Sequence, residues 1–145
     1  MCSCCKEPKV VVSEKAPKAI GPYSVGIIAG QMVYSSGQIG LDPMSGSLVG
    51  GGIEAETRQA LNNLKYILEA SNSDLHMVVK TTVYLKDMAD FASMNSVYGE
   101  YFMKNPPART TISVGALPKG AAVEIEAIAM INNDSDNKDH CCCKD

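Results

Sequence analysis

Residues able to do chemistry are few in this chain and unevenly placed. All six cysteines lie at the two ends, Cys2, Cys4 and Cys5 at one and Cys141, Cys142 and Cys143 at the other. The folded region predicted between them, 16-131, holds a single histidine, His76. That stretch therefore offers no metal-ligand constellation and no means of building Ser-His-Asp or Cys-His catalysis. A lone histidine at the start of a strand is more often a surface or packing residue than an acid or base. Gly50-Gly51-Gly52 fits neither the phosphate-loop spacing nor the dinucleotide spacing, which argues against a nucleotide cofactor. What remains is Arg109 at the start of one strand, with Glu124 and Glu126 near the start of its neighbour. A guanidinium is a two-pronged donor that matches a carboxylate. An arginine following the Pro106-Pro107 turn, taken alone, reads more readily as a surface salt-bridge partner. By type alone they leave two readings open, a surface ion pair or a carboxylate anchor beside an acid.

The bounds set by composition are those of one globular domain. A chain of 145 residues, 46% hydrophobic, is long enough to bury one core without disulfides or metal. Its formal charge of -3 and its lack of a basic block argue against a nucleic-acid partner. The longest apolar run, Ala127-Ile128-Ala129-Met130-Ile131, is far too short to span a bilayer. Met1 to Pro8 has neither the apolar stretch of a signal peptide nor the character of a transit peptide, so the cytoplasm is the expected location. Residues 1-15 and 132-145 read as cysteine-containing polar tails around a folded domain over 16-131. The tail cysteines are compatible with reduced thiols in a disordered segment, a soft metal, acyl chains or disulfides.

The elements that must position Arg109 and the two acids follow from periodicity. Two short runs rich in Val, Ile and Tyr flank Gly30-Gln31, a two-residue hairpin signal. Thr57, Ala60, Leu61, Leu64, Ile67 and Leu68 recur at three- and four-residue steps and predict a helix over about 53-70. Val79, Thr81, Val83 and Leu85 share one face of a strand, and Asp87 with Asp90 supplies a cap for a second helix. Phe91, Met94, Tyr98, Tyr101 and Phe102 form the stripe of that helix, which Asn105-Pro106-Pro107 stops. Strands over 109-114 and 122-131 complete the order β-β-α-β-α-β-β. In the last strand Val123, Ile125, Ala127, Ala129 and Ile131 should face the helices. The predicted class is α+β, a mixed sheet with two helices on one face. The opposite face, carrying Ile128 and Met130, needs a cover that copies of the same chain can provide.

Five segments, Ile20-Gly21-Pro22-Tyr23-Ser24, Ser35-Ser36-Gly37-Gln38-Ile39, 79-87 (VKTTVYLKD), Pro107-Ala108-Arg109-Thr110-Thr111 and 123-129 (VEIEAIA), occur in order and resemble the Rid, or YjgF, family of reactive-intermediate deaminases. The resemblance covers about 16-131. It implies a chorismate-mutase-like homotrimer whose sheets face a central β-barrel, with active sites in clefts between adjacent subunits. The activity implied is deamination of 2-iminobutanoate and 2-iminopropanoate. Such reactive enamine or imine acids, as from 2-aminoacrylate, would be hydrolysed to 2-keto acids and ammonia without a cofactor. Carried over by position, Arg109 binds the carboxylate, Tyr23, Gly37 and Asn95 line the cleft, and Glu124 orients or activates water; Glu126 is left as structural. An imine carbon is already electrophilic, so this sparse set would suffice.

The sequence departs from the family pattern at Thr111, where many relatives carry cysteine two positions after the arginine. Thiol participation is therefore in doubt, while the retained arginine points to the arginine-containing RidA type. Two further functions remain open at this level: an endoribonuclease or translation inhibitor, and a non-catalytic metabolite-binding or chaperone-like protein.

Overall fold

The computed structural model describes residues 7-132; both cysteine groups fall outside them. Its centre is a six-stranded sheet in the order β1-β2-β3-β6-β4-β5. The strands are β1 (Lys9–Val10), β2 (Gly26–Ala29), β3 (Met32–Ser35), β4 (Val78–Leu85), β5 (Ala108–Ser113) and β6 (Val123–Met130). Two helices, α1 (Gly52–Ala70) and α2 (Phe91–Tyr101), supply the second layer. β2 and β3 form the hairpin across Gly30-Gln31, and β4 pairs antiparallel with β6. Only β4 and β5 are parallel, as a crossover through α2 requires. The chain is thus the α+β architecture expected from periodicity.

β6 is the keystone because it lies between β3 and β4 and meets α1 along its length. Val123, Ile125, Ala127 and Ala129 are buried beneath the helices with Leu61, Leu64, Ile67, Leu68 and Met94. Burying side chains of this size stabilises the fold by roughly 1.5–3 kcal/mol each, before ordering costs are subtracted. Alternation sends Glu124, Glu126, Ile128 and Met130 to the opposite face. Among the described residues nothing covers that face, and Tyr34, Ile112 and Met130 are exposed.

Three local readings change. Lys9–Val10 form an edge strand on β2, and Val11 is buried, so residues placed in the tail by composition join the sheet and its core. Two paired residues are too few to show alternation, and their partner lies far along the chain. In β4 a bulge between Val78 and Lys80 reverses the phase: Val78 is buried and Val79 exposed, although Val79 was expected to share the inward face. In α2 the buried stripe runs through Met94, Val97 and Tyr98, while Phe91 lies half open.

Helix α1 begins at Gly51 and Gly52, whose φ angles of 112° and 77° disfavour any residue with a Cβ. From its inward face two polar side chains reach past the sheet edge. The fully buried Asn63 amide donates to the Ile39 and Leu41 carbonyls at 3.2 and 2.9 Å, and its oxygen accepts from Gln59. Glu56 accepts from the Ala122 amide at 3.1 Å, just before β6. These bonds fix the 38-41 segment and the start of β6 on one helix. Asn63→Ala should lower unfolding free energy by about 2–3 kcal/mol, since it strands two buried carbonyls. Denaturant midpoints compared at equal protein concentration will show this, and an unchanged midpoint would refute the role given to Asn63.

Candidate active site

The first half of the site is built on β5. Register pairs Arg109 with Thr81, which is fully buried and shares a 2.7 Å hydrogen bond with the Tyr98 hydroxyl of α2. Arg109 therefore points to the helix side of the sheet. There Phe91, Asn95 and Tyr98, at steps of four and three, share one face of α2 and make a seat for it. The guanidinium carbon lies 4.7 Å from the Tyr98 ring centre and 5.6 Å from that of Phe91. Its Nη1 donates to Asn95 Oδ1 at 2.7 Å. Rings and one amide orient the cation without neutralising it. Among the described residues no acid pairs with Arg109, so the surface salt-bridge reading does not hold. Burial raises the Tyr98 phenol above its ordinary range despite the nearby cation. Thr111 follows on the same side of β5, its Oγ1 buried and without a partner.

The second half lies at the far end of β3. Tyr34 pairs with Ile128, but Gln38 pairs with Ile125, so the Ser35–Gly37 stretch holds one residue more than the facing strand. The bulge leaves the Ala127 amide without a backbone acceptor, and Ser35 Oγ accepts from it at 2.9 Å. It also brings Gly37 against Glu124. A Cβ at Gly37 would lie 2.7 Å from Glu124 Cδ and 2.9 Å from Cγ, so the glycine is required by close approach and not by its φ angle.

Around this contact lies a cavity of about 550 Å³, walled by Tyr23, Gly37, Gln38 and Glu124, with Ile20 and Ile39 among its apolar lining. The Tyr23 hydroxyl accepts from the Ile20 amide at 3.2 Å and keeps its own proton available to donate. Glu126 accepts from the Tyr84 hydroxyl at 3.0 Å, consistent with a structural part. Burial first, and the negative charge of Glu126 second, raise the Glu124 carboxyl above the ordinary carboxylate range. Such a group holds and releases a proton closer to neutrality than a solvated glutamate. His76 is on the surface beside Asp74 and belongs to neither half.

Tyr23, Gly37 and Glu124 thus meet in one cavity, and Arg109 and Asn95 meet in another place. Arg109 aligns with Ala127 across β4, two strands and about 10 Å away from β6, and on the opposite face from Glu124. One chain does not bring the five together. Three contributors escaped the sequence reading in these roles: the rings of Phe91 and Tyr98, and the bulge at Ser35. The four- and three-residue steps through Phe91, Asn95 and Tyr98 carried the first signal; the bulge left none beyond polar residues ending a strand.

A family model described as endoribonuclease L-PSP matches residues 13–131. The chain belongs to this family, also called YjgF or Rid. A human 2-iminobutanoate/2-iminopropanoate deaminase is 51% identical over 122 residues, 84% of this chain and 89% of its own. The YjgF gene product of E. coli superposes with a TM-score of 0.82 at 42% identity, covering 86% of this chain and 99% of its own. E. coli TdcF with bound serine gives 0.82 at 37%, with the same coverage. An L-PSP fold therefore underlies the split arrangement of Arg109 and Glu124.

The raised Glu124 carboxyl has measurable consequences. By carbon NMR its titration midpoint should exceed the usual glutamate value of about 4.3, and Glu126→Gln should lower it only partly because burial is the larger cause. A midpoint at or below the usual value would refute the assignment. A carboxyl whose folded pKa is raised binds more protons folded than unfolded, so its effect lowers stability as pH rises through that window. Glu124→Gln should accordingly be no less stable than the native protein at pH 7.

Proposed function

We propose that this L-PSP family member is a 2-iminobutanoate/2-iminopropanoate deaminase that converts reactive imine and enamine acids to 2-keto acids and ammonia. The observation that carries the reading is Arg109, held by a neutral amide and two rings and without an acid partner among the described residues. A cation kept in that state is suited to a substrate carboxylate. The human deaminase relative supports the same reaction class.

In the proposed reaction Arg109 fixes the carboxylate and leaves the imine carbon facing Glu124. An enamine first takes a proton at its terminal carbon and becomes the iminium. Ionised Glu124 accepts a proton from water as the water oxygen bonds to the iminium carbon and the C=N π pair moves to nitrogen, giving a neutral carbinolamine. Glu124 then returns the proton to nitrogen; the C–N bond breaks with its electron pair leaving on ammonia, and Glu124 takes the hydroxyl proton as the carbonyl forms. Tyr23 and the Gly37 backbone border the reacting atoms, and Asn95 positions Arg109. No bound cofactor is needed, because the electrophile is already present in the substrate.

The two half-sites imply assembly between copies of the chain. We propose a homotrimer with the uncovered sheet faces turned to a central β-barrel, so that the β5 edge of one subunit meets the Glu124 cavity of the next. The exposed Tyr34, Ile112 and Met130 on that face support this arrangement. The domain of 16-131, joined by the β1 segment, is the catalytic unit in this reading, and the cytoplasm is its proposed location. Among the described residues no helix is long and apolar enough to cross a membrane. A ribonuclease reading lacks a comparable supporting contact, since His76 stands apart on the surface.

Arg109→Ala should lower kcat/KM for freshly generated 2-iminopropanoate about 30- to 1000-fold, the loss expected for a charge-assisted carboxylate contact of about 2–4 kcal/mol. Arg109→Lys should recover little of it. Ammonia and keto-acid release are the readouts, and native rates in the alanine variant would overturn the role of Arg109. Mixing Arg109→Ala with Glu124→Gln chains by unfolding and reassembly should restore up to about a quarter of native activity, the share of random interfaces with both groups intact. Two inactive variants that never complement would refute a site shared between subunits.

A further inference from the structure

The proposed reaction opens with a proton arriving at the β-carbon of the enamine, the far end of its C=C bond, and among the described residues Glu124 is placed to deliver it. Of the acid types that line the cavity, a carboxyl is far stronger than an ammonium or a phenol, so Glu124 and Glu126 stand ahead of Lys18 and Tyr23. Glu126 is engaged, since it accepts from the Tyr84 hydroxyl at 3.0 Å. No described residue donates a hydrogen bond to the Glu124 carboxyl or pairs with it as a cation. Burial and the neighbouring charge of Glu126 both favour its neutral form, the one that carries a proton. Gly37 limits where that proton can go. Its backbone packs against the carboxyl so closely that a Cβ there would lie 2.7 Å from Glu124 Cδ. One side of the carboxyl is thus covered, and the open side is turned to the cavity. In an enamine acid the β-carbon and the nitrogen are bonded to the same carbon, so a carboxyl that serves the nitrogen also has the β-carbon within reach.

We propose that Glu124, in its protonated form, delivers this proton itself and to one face of the β-carbon, so that the protein is an enamine tautomerase as well as a hydrolase. This second activity rests on the deaminase reading. The carboxyl O–H bond breaks as the C=C π pair forms the new bond from the β-carbon to hydrogen. The nitrogen lone pair closes the C=N bond, and the products are the iminium and ionised Glu124. That carboxylate is the form that next takes a proton from water. At the end of the turnover Glu124 receives the hydroxyl proton as the carbonyl forms, and it is protonated again. Enamine and water enter, keto acid and ammonia leave, and Glu124 needs no exchange with solvent. A turnover that starts from the iminium instead ends with one proton more on Glu124 than it began with, and solvent must remove it. The charge of Arg109 from the next subunit, which opposes the neutral carboxyl, is met by the substrate carboxylate once that is bound. The substrate matched to this cycle is therefore an enamine, the product of β-elimination from an amino acid, in preference to an imine made by oxidising the amine.

The reverse reaction tests this. The full chain is incubated with 2-oxobutanoate and ammonium in deuterium oxide, and the methylene next to the carbonyl is followed by proton NMR. A catalyst does not change the amount of free iminium at equilibrium, so exchange in solution keeps its protein-free rate and any acceleration is proton transfer on the protein. One of the two methylene hydrogens should exchange about 100-fold or more faster than without protein, the scale of general acid–base catalysis. The other should stay at the spontaneous rate, and omission of ammonium or Glu124→Gln should abolish the acceleration. Ammonia release from freshly generated 2-iminobutanoate is measured on the same preparation. Rapid ammonia release without accelerated exchange would overturn the tautomerase and leave the deaminase reading standing, whereas loss of both would remove that reading as well. Equal acceleration at both hydrogens, acceleration without ammonium, or native exchange in Glu124→Gln would each overturn the part given to Glu124.

Discussion

The two-residue repeat of a β-strand decides where charge can stand in this sheet. In β6 every second residue is committed to the core beneath α1, so Glu124 and Glu126 must face away from the helices. In β5 the register with Thr81 turns Arg109 towards α2. Bringing both to one face would need a one-residue slip, which would expose Val123, Ile125, Ala127 and Ala129 together. That cost is of the same order as the whole net stability of a small domain, about 5–15 kcal/mol. The sheet can therefore carry an anchor and an acid only as separate halves. β5 is also an edge strand with unpaired backbone groups, and the face beside Glu124 exposes apolar side chains. The proposed trimer meets all three demands with a single mode of association.

Separation within the chain sets the electrostatic state of each half. A guanidinium close to Glu124 favours its ionised form and draws its pKa down. Within one chain Glu124 lies apart from Arg109 and feels burial and the charge of Glu126, both of which favour the protonated form; in the proposed assembly the next subunit's Arg109 acts against them. Arg109 has Asn95 as its polar partner and no acid partner among the described residues, which suits it to the carboxylate proposed as its ligand. An aspartate at position 95 would have the same reach and would remove that advantage. In the proposed assembly the substrate is the group that joins the two opposite charges.

Much of the architecture was legible because the period-two and period-3.6 patterns are long: β6 alternates over eight residues, and α1 repeats its inward face from Glu56 to Leu68. The misreadings fall where that phase is broken or too brief to measure. At Val78-Val79 one additional residue inverts the strand with no change in composition. At Lys9–Val10 the pairing is non-local, and only the neighbouring valines hint at it. The site was less legible than the fold. Arg109, Glu124 and Glu126 stood out by type, whereas Tyr23, Gly37 and Asn95 came only from the family resemblance, because nothing in a glycine or an asparagine alone announces close approach to a carboxylate or support of an arginine.

Gly37 shows why such a position needs three dimensions. Its contact with Glu124 exists because the Ser35–Gly37 bulge carries the chain across the start of β6, and that path is fixed on both sides by α1. Asn63 holds Ile39 and Leu41, while Glu56 holds Ala122, two residues before Glu124. The wall of the cavity and its acid are thus set relative to each other by a helix on the opposite side of the sheet. Polar residues buried at such points contribute less as isolated bonds than through the single register they permit, because a shifted segment would leave carbonyls and a carboxylate unpaired in the core. The precision of Glu124 therefore rests as much on the polar side chains of α1 as on the strand that carries it.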